Sequence, residues 1–432
     1  MHIAILTAGG AGMFCGSCMH DNTLARGLRQ LGEEVTLIPT YTPIRLDEPD
    51  ASERHVFLGG IDLYLRHRFG AWRSLPRSLT RWVDARWLLR LATRFAVTND
   101  ARQLGELTLD MLAGPDGPQR EALEELAAFV IHELKPDIVV FSNALLAGAL
   151  EALRDEQGEY LRCPVVCLLQ GDDIFLDGLA EPYRDQALSR LRNLARGFDG
   201  FLTHSRFYAD FMSGYLGLPR SRIEVTPLGI DADSHDGFPR EAPSSPLTIG
   251  YFARICPEKG LHRLIDAFRI LHRRQPNTQL VAAGYLGPRD RAWADKLFRD
   301  AADLGPAFRY LGSPATHAEK VAVLKSFDVL SVPTEYREPK GLYVLESLAN
   351  GVPVVQPRHG AFPELLETTG GGLLVEPADA EALATALEEL LLHPDRRFEF
   401  GRTGHAAVHS RFGLLTTAAA TRDVLRRFVE QG

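Results

Sequence analysis

The sequence predicts an α/β protein of two doubly wound domains, each a parallel sheet covered by helices. Three observations carry that expectation. The chain of 432 residues is too long for one ordinary core. Short apolar runs alternate with longer helical patterns almost throughout. That alternation stops around residues 232–246, in the run DADSHDGFPREAPSSP, and then restarts. Hydrophobic residues make up 45% of the chain and charged residues 24%, which is a globular composition and excludes extended disorder. A net charge of −8, with no nucleic-acid-binding signature, argues against nucleic acid as a partner.

In the first half the clearest strands are HIAILTA (2–8), EVTLIP (34–39), DIVVFS (137–142), PVVCLLQ (164–170) and GFLTHS (200–205), each followed by a loop and a helix. After the linker come LTIGYFA, TQLVAAG, FRYLG, DVLSVPT, VPVVQP and GGLLVEP, separated by helices such as LHRLIDAFRILHRR and a stretch near 379–393. Six strands with five crossovers make a second doubly wound domain, and two such domains facing each other form a cleft at the carboxyl ends of their sheets. The expected boundaries are 1–236, 247–410 and a final helix within 411–432 that packs back on the first domain. MHIAILTAGG is too short and too lightly charged for a signal peptide, and no run approaches the roughly 20 apolar residues of a spanning helix. A cytoplasmic protein with reduced cysteines is expected.

The most informative motif is EPKGLYVLESLANGVPVV, with Glu338 and Glu346 eight positions apart around a helix start. Helix amides attract phosphate and a neighbouring carboxylate accepts from sugar hydroxyls, so the pair suits a nucleotide or phosphorylated sugar. The alternative is one Glu on a loop and another on a helix, both solvated. In GYFARICPEKG, Arg254 and Lys259 lie on the loop after the second domain's first strand, where two cations can clamp a diphosphate. Exposed basic residues are also common in loops. Gly9, Gly10 and Gly12 in GGAGMFCGS allow a tight turn and close approach to a ligand, without the spacing of a dinucleotide fingerprint.

Taken in order, the glycine loop, PLGID (227–231), Arg254 with Lys259, and Glu338 with Glu346 resemble the retaining family-4 glycosyltransferases of GT-B fold, two Rossmann-like domains around a cleft. The resemblance is strongest from 247 to about 377, where the Arg/Lys pair, the E-x7-E element and the following Gly-x-Pro-Val strand match in order. It implies that Arg254 and Lys259 bind the donor diphosphate and neutralise the leaving group, so that neither a metal nor another cofactor is needed. It implies that Glu338 contacts hydroxyls of the transferred sugar and Glu346 those of the ribose. Backbone amides of Lys340, Gly341 and Leu342 would face sugar and phosphates, and Gly10 and Gly12 would lie across the cleft near the diphosphate and acceptor.

The chain also departs from that pattern. Lys340 stands where many members carry an aromatic residue, and Gln170 in QGDDIF (170–175) stands where relatives often carry a His beside the reacting sugar. Asp172 and Asp173 lack further ligands for a metal, and adjacent carboxylates usually cap helices. Cys15 and Cys18 frame a Cys-x-x-Cys with His20 and Asp21 close behind, and Cys163 and Cys167 lie on or near a strand. Ordinary thiols are the first reading, with metal binding and redox pairing left open. Residues 64–95 hold eight arginines against one acid, Asp84, and three of the four tryptophans, Trp72, Trp82 and Trp87. Such a helix fits an anionic membrane surface, at the inner face of the membrane, and equally fits an insertion packed on the first domain.

The expected function is metal-independent transfer, with retention, of a hexosyl unit from a nucleotide-diphospho-sugar to a hydroxyl acceptor. A sugar-nucleotide epimerase and a catalytically silent sugar-nucleotide-binding protein are the alternatives. Base, donor sugar, acceptor and oligomeric state stay open.

Overall fold

The structure is a computed structural model that describes residues 1–9, 15–42, 44, 46–53, 56, 101–154, 161–239, 242 and 244–431. Gly10, Gly12 and the arginine-rich segment 64–95 lie outside the described residues. The chain divides into two compact units, Met1–Pro227 with Thr417–Gly432, and Leu228–Thr416.

The first unit holds a six-stranded sheet in the order β2-β1-β3-β4-β5-β6. Its strands are β1 (His2–Thr7), β2 (Glu34–Pro39), β3 (Ile138–Phe141), β4 (Val165–Leu168), β5 (Gly200–Thr203) and β6 (Ile223–Val225). All neighbours run parallel, with Ile5 beside Leu37 on one side and Val140 on the other. Helices cover both faces of such a sheet, so its central strands read as unbroken apolar runs: Ile3, Val139, Val165 and Phe201 are fully buried.

The second unit holds β7 (Leu247–Phe252), β8 (Thr278–Ala283), β9 (Phe308–Tyr310), β10 (Val329–Leu330), β11 (Val354–Pro357) and β12 (Gly372–Val375). Their order is β12-β11-β10-β7-β8-β9, again parallel throughout. The chain builds outward from β7 to β9, then crosses back to place β10 on the other side of β7. The order in which the chain adds strands therefore reverses between β7 and β10, and a doubly wound fold binds its ligand outside the carboxyl ends of the strands at such a point.

Three differences from the sequence reading have local causes. The run 328–334 gives a strand only at Val329–Leu330, because Pro333 has no N–H to donate and Thr334 N turns back to Val332 O. The edge strand β6 is three residues long and contains a glutamate, too short to show a period. The division between units falls after Pro227, ahead of the linker read at 232–246, because Leu228, Ile230 and Ala232 are buried in the second unit's core.

The last helix, Leu414–Gln431, contributes Ala418, Val424 and Leu425 to the core around β1 and β3 in the first unit. Among the described residues no helix is long and apolar enough to cross a membrane.

Candidate functional site

The loops that follow β7, β10 and β11, three adjacent strands, bring the second unit's sequence-singled residues together. After β7 the chain passes Arg254 and enters a 3-10 turn, Pro257–Lys259. Tyr251 OH donates to Arg254 O at 3.0 Å and Arg254 Nε donates to Cys256 Sγ at 3.3 Å, which steadies an otherwise exposed side chain. After β10 the loop carries Tyr336, Glu338 and Lys340 into the helix Leu342–Ala349.

Lys259 Nζ and Glu338 Oε2 form an ion pair at 2.8 Å, with the carboxylate side chain 6% exposed. Tyr336 OH and Tyr343 OH each donate to the same Oε2 at 3.0 Å. The ammonium group also lies 5.0 Å from the centroid of each of those two rings, within range of a cation–π attraction. Burial alone pushes the Glu338 carboxyl up; the Lys259 charge and the three hydrogen bonds outweigh it and hold the group below the usual carboxylate range. Burial and then the Glu338 charge push the Tyr336 hydroxyl well above its ordinary value, while Arg254 acts the other way, so that cation's field reaches the same cluster.

Two glycines make this geometry. Gly341 caps the helix at φ +79°, and a Cβ there would meet Leu365 Cδ1 at 2.8 Å. In the loop after β11, Gly360 at φ +60° lies against the Glu338 backbone, where a Cβ would meet its O at 2.4 Å and its N at 2.5 Å. Ala361 N donates to Glu338 O at 2.8 Å, fastening the same contact.

Glu346 is buried on the helix Leu342–Ala349 and pairs with Lys320 Nζ at 3.0 Å, both side chains under a tenth exposed. Sequence reading missed Lys320. Its signal was its place beside Val321 and Leu324 on the inward face of the helix His317–Lys325, where a lysine needs an anion. Lys340 is buried on the loop between the two glutamates, and Gly341 and Leu342 open the helix, whose first amides have no intrahelical acceptor.

Gln170 lies in the first unit and turns its amide inward: Nε2 donates to Asp21 Oδ1 and to Ser142 O, each at 2.9 Å. Asp172 accepts from Ala144 N at 2.6 Å and from Gln170 N at 2.9 Å, and Asp173 accepts from Tyr208 OH. Both carboxylates thus have protein donors. Cys15 caps the helix Gly16–Gln30, its Sγ accepting from Cys18 N at 3.4 Å. The five cysteines form no disulfide, and among the described residues no group of three potential metal ligands includes one. The bond to Cys15, then burial, holds the Cys18 thiol well above the ordinary thiol range, which leaves it a poor nucleophile.

A cavity of about 90 Å³ lies at the opposite, amino-terminal end of the second sheet, lined by Phe238, Asp328, Asn350, Val352 and Arg397 among others. It borders the structural Asp328–Arg397 pair and takes in none of the site residues.

Residues 236–406 match the family described as Glycosyl transferases group 1, and residues 110–234 match Glycosyltransferase Family 4. The glycogen synthase of Mycobacterium tuberculosis is 29% identical over 67% of this chain and 68% of its own length. A GDP-mannose-dependent alpha-(1-6)-phosphatidylinositol monomannoside mannosyltransferase of Mycolicibacterium smegmatis is 30% identical over 50% of this chain and 59% of its own. Among solved structures, sucrose-phosphate synthase from Thermosynechococcus elongatus superposes with a TM-score of 0.69 at 18% identity, with all of both chains covered. Anabaena HepE in complex with UDP and glucose gives 0.66 at 18% identity, over 99% of this chain and 100% of that one. The chain belongs to the GT-B glycosyltransferases of the family-4 type.

Proposed function

We propose that the protein transfers a hexosyl unit from a nucleotide-diphospho-sugar to a hydroxyl acceptor, with retention and without a metal. The observation that carries this reading is the buried Lys259–Glu338 pair at the point where the strand order of the second sheet reverses, with Arg254 on the same loop as the lysine. Arg254 and Lys259 would hold the diphosphate and stabilise the charge that grows on it as the bond to the sugar breaks. Glu338 would take sugar hydroxyls, and Glu346, steadied by Lys320, the ribose. Lys340, Gly341 and Leu342 would close the site around sugar and phosphates.

The acceptor oxygen bonds to the anomeric carbon on the face the diphosphate leaves, and its proton passes to the departing phosphate oxygen. That route needs little acid–base help from side chains, and positioning with electrostatic stabilisation supplies the rate. The relatives include a glycogen synthase, a phosphatidylinositol monomannoside mannosyltransferase and a putative colanic acid biosynthesis glycosyltransferase, which supports a glycan or lipid-linked acceptor as the class to test first.

Thermal-shift screening against UDP-, GDP- and ADP-sugars should show one nucleotide class raising the melting temperature, since a ligand stabilises in proportion to its affinity. Donor hydrolysis should then fall at least about a hundredfold in Lys259→Ala and Glu338→Ala, the usual scale for a lost charge-stabilising group. Equal rates in wild type and both variants would remove the enzymatic assignment.

A further inference from the structure

We propose that Tyr336 and Tyr343 are donor-positioning residues: with Lys259 they occupy one oxygen of Glu338, Oε2, and so assign the other, Oε1, to neighbouring hydroxyls of the transferred sugar. This rests on the donor-site reading above and adds to it which oxygen reads the sugar and what fixes that choice.

The three donors converge on Oε2, Lys259 Nζ at 2.8 Å and the two phenols at 3.0 Å each. A carboxylate oxygen offers two in-plane acceptor directions, so three donors saturate it. Oε1 accepts no hydrogen bond from the described residues. Its two acceptor directions match the two O–H groups of a vicinal diol, a feature of every unmodified hexose ring. The donors come from three separate elements: the turn after β7, the loop after β10 and the first turn of the helix Leu342–Ala349. They therefore restrain rotation of the carboxylate about its own axis as well as its place. With Lys259 alone, the carboxylate could swing and exchange its oxygens at the ammonium group. Tyr343 is itself held, 7% exposed and 6.3 Å from the Phe362 ring, and Ala361 N and Gly360 pin the Glu338 main chain from the other side. The site thus carries a preset acceptor of fixed direction, whose energetic advantage is that nothing need be reordered when the sugar arrives.

Tyr336→Phe and Tyr343→Phe keep both rings beside Lys259 and remove one donor each. Calorimetric titration should use paired probes: UDP with UDP-glucose, GDP with GDP-mannose, and ADP with ADP-glucose, taking forward the pair that wild type binds. The inference expects each variant to bind the free nucleotide diphosphate as wild type does and the nucleotide sugar about tenfold more weakly, the scale of one hydrogen bond to a charged group. Donor KM should rise by a similar factor with kcat less affected. Unchanged affinity for both probes would overturn this assignment and leave the donor site standing. Equal loss of both probes, with a lowered melting temperature, would also overturn it, by showing that the phenols serve packing alone. Wild type that binds no member of any pair would overturn the donor-site reading itself.

Discussion

At the scale of single residues, the molecule sorts its buried carboxylates by what surrounds them. Glu338 and Glu346 each face a lysine, so burial is offset by an opposite charge. Among the described residues no lysine or arginine pairs with Asp172. Its carboxylate is fully buried and accepts two backbone N–H bonds, which lower its pKa by less than burial raises it, and the group settles at about 6. The folded value lies above the ordinary 3.8, so the folded state holds this proton more tightly than the unfolded chain does. The resulting stability is fully present below the unfolded value and is lost as pH rises through about 6, amounting to about 3 kcal/mol once the group is ionised. We therefore expect the melting temperature of wild type, measured relative to Asp172→Asn, to fall between pH 5 and pH 7. A difference that stays level across that interval would show that Asp172 does not titrate there.

At the scale of elements, sequence pattern revealed most of the strands and half of the candidate site. Continuous Val, Ile and Leu runs with flanking turns marked eleven strands, because parallel strands buried on both faces carry little else. Arg254, Lys259, Glu338 and Glu346 were visible as charges on loops and helix starts at fixed spacing. What stayed hidden was pairing. Nothing in one sequence says that Lys320 would face Glu346 or that Tyr336 and Tyr343 would share an oxygen of Glu338, since those contacts depend on which strand neighbours which. Gln170 was singled out by position, and its inward bonds to Asp21 and Ser142 follow from the β1–β3–β4 neighbourhood that only the fold creates. The same kind of hidden pairing ties down the second unit's helices. Arg397, near the start of the helix Pro394–Arg411, bonds to Leu390 O and Leu391 O and stands 3.9 Å from Asp328, itself bonded to Thr248 N at 2.7 Å. Arg397→Met should cost about 3 kcal/mol, because Asp328 would keep its burial and lose the Arg397 guanidinium beside it. Adding Asp328→Asn should bring less than the summed loss of the two single changes, since the pair is one interaction. Urea denaturation of the two single variants and the double variant measures this, and strict additivity would show that the guanidinium and carboxylate do not interact.

At the scale of the whole molecule, the chain's path separates the two units in sequence but returns to finish the first. It leaves the first sheet after β6, builds the second unit, and comes back in the helix Leu414–Gln431. The outgoing and returning segments run side by side, with Ile230 N donating to Phe412 O at 3.0 Å and Ile230 bridged to Gly413. The first unit therefore depends on residues made last. Leu425 is fully buried among Ile3, Ile5, Leu28 and Val140, and Phe428 fills the space over Gly200, where a Cβ would meet its ring at 2.3 Å. Leu425→Ala should destabilise that unit by about 3 kcal/mol through lost burial and the cavity left behind. The second unit draws its core from residues 228–412 and has no share in that loss. In scanning calorimetry of the full chain, we expect Leu425→Ala to lower one transition, and the donor nucleotide sugar to raise the other, because its proposed contacts in the second unit all fall between Arg254 and Glu346. Two transitions that fall together in Leu425→Ala would mean the units unfold as one, and the late-arriving helix would then be a determinant of the donor site as well.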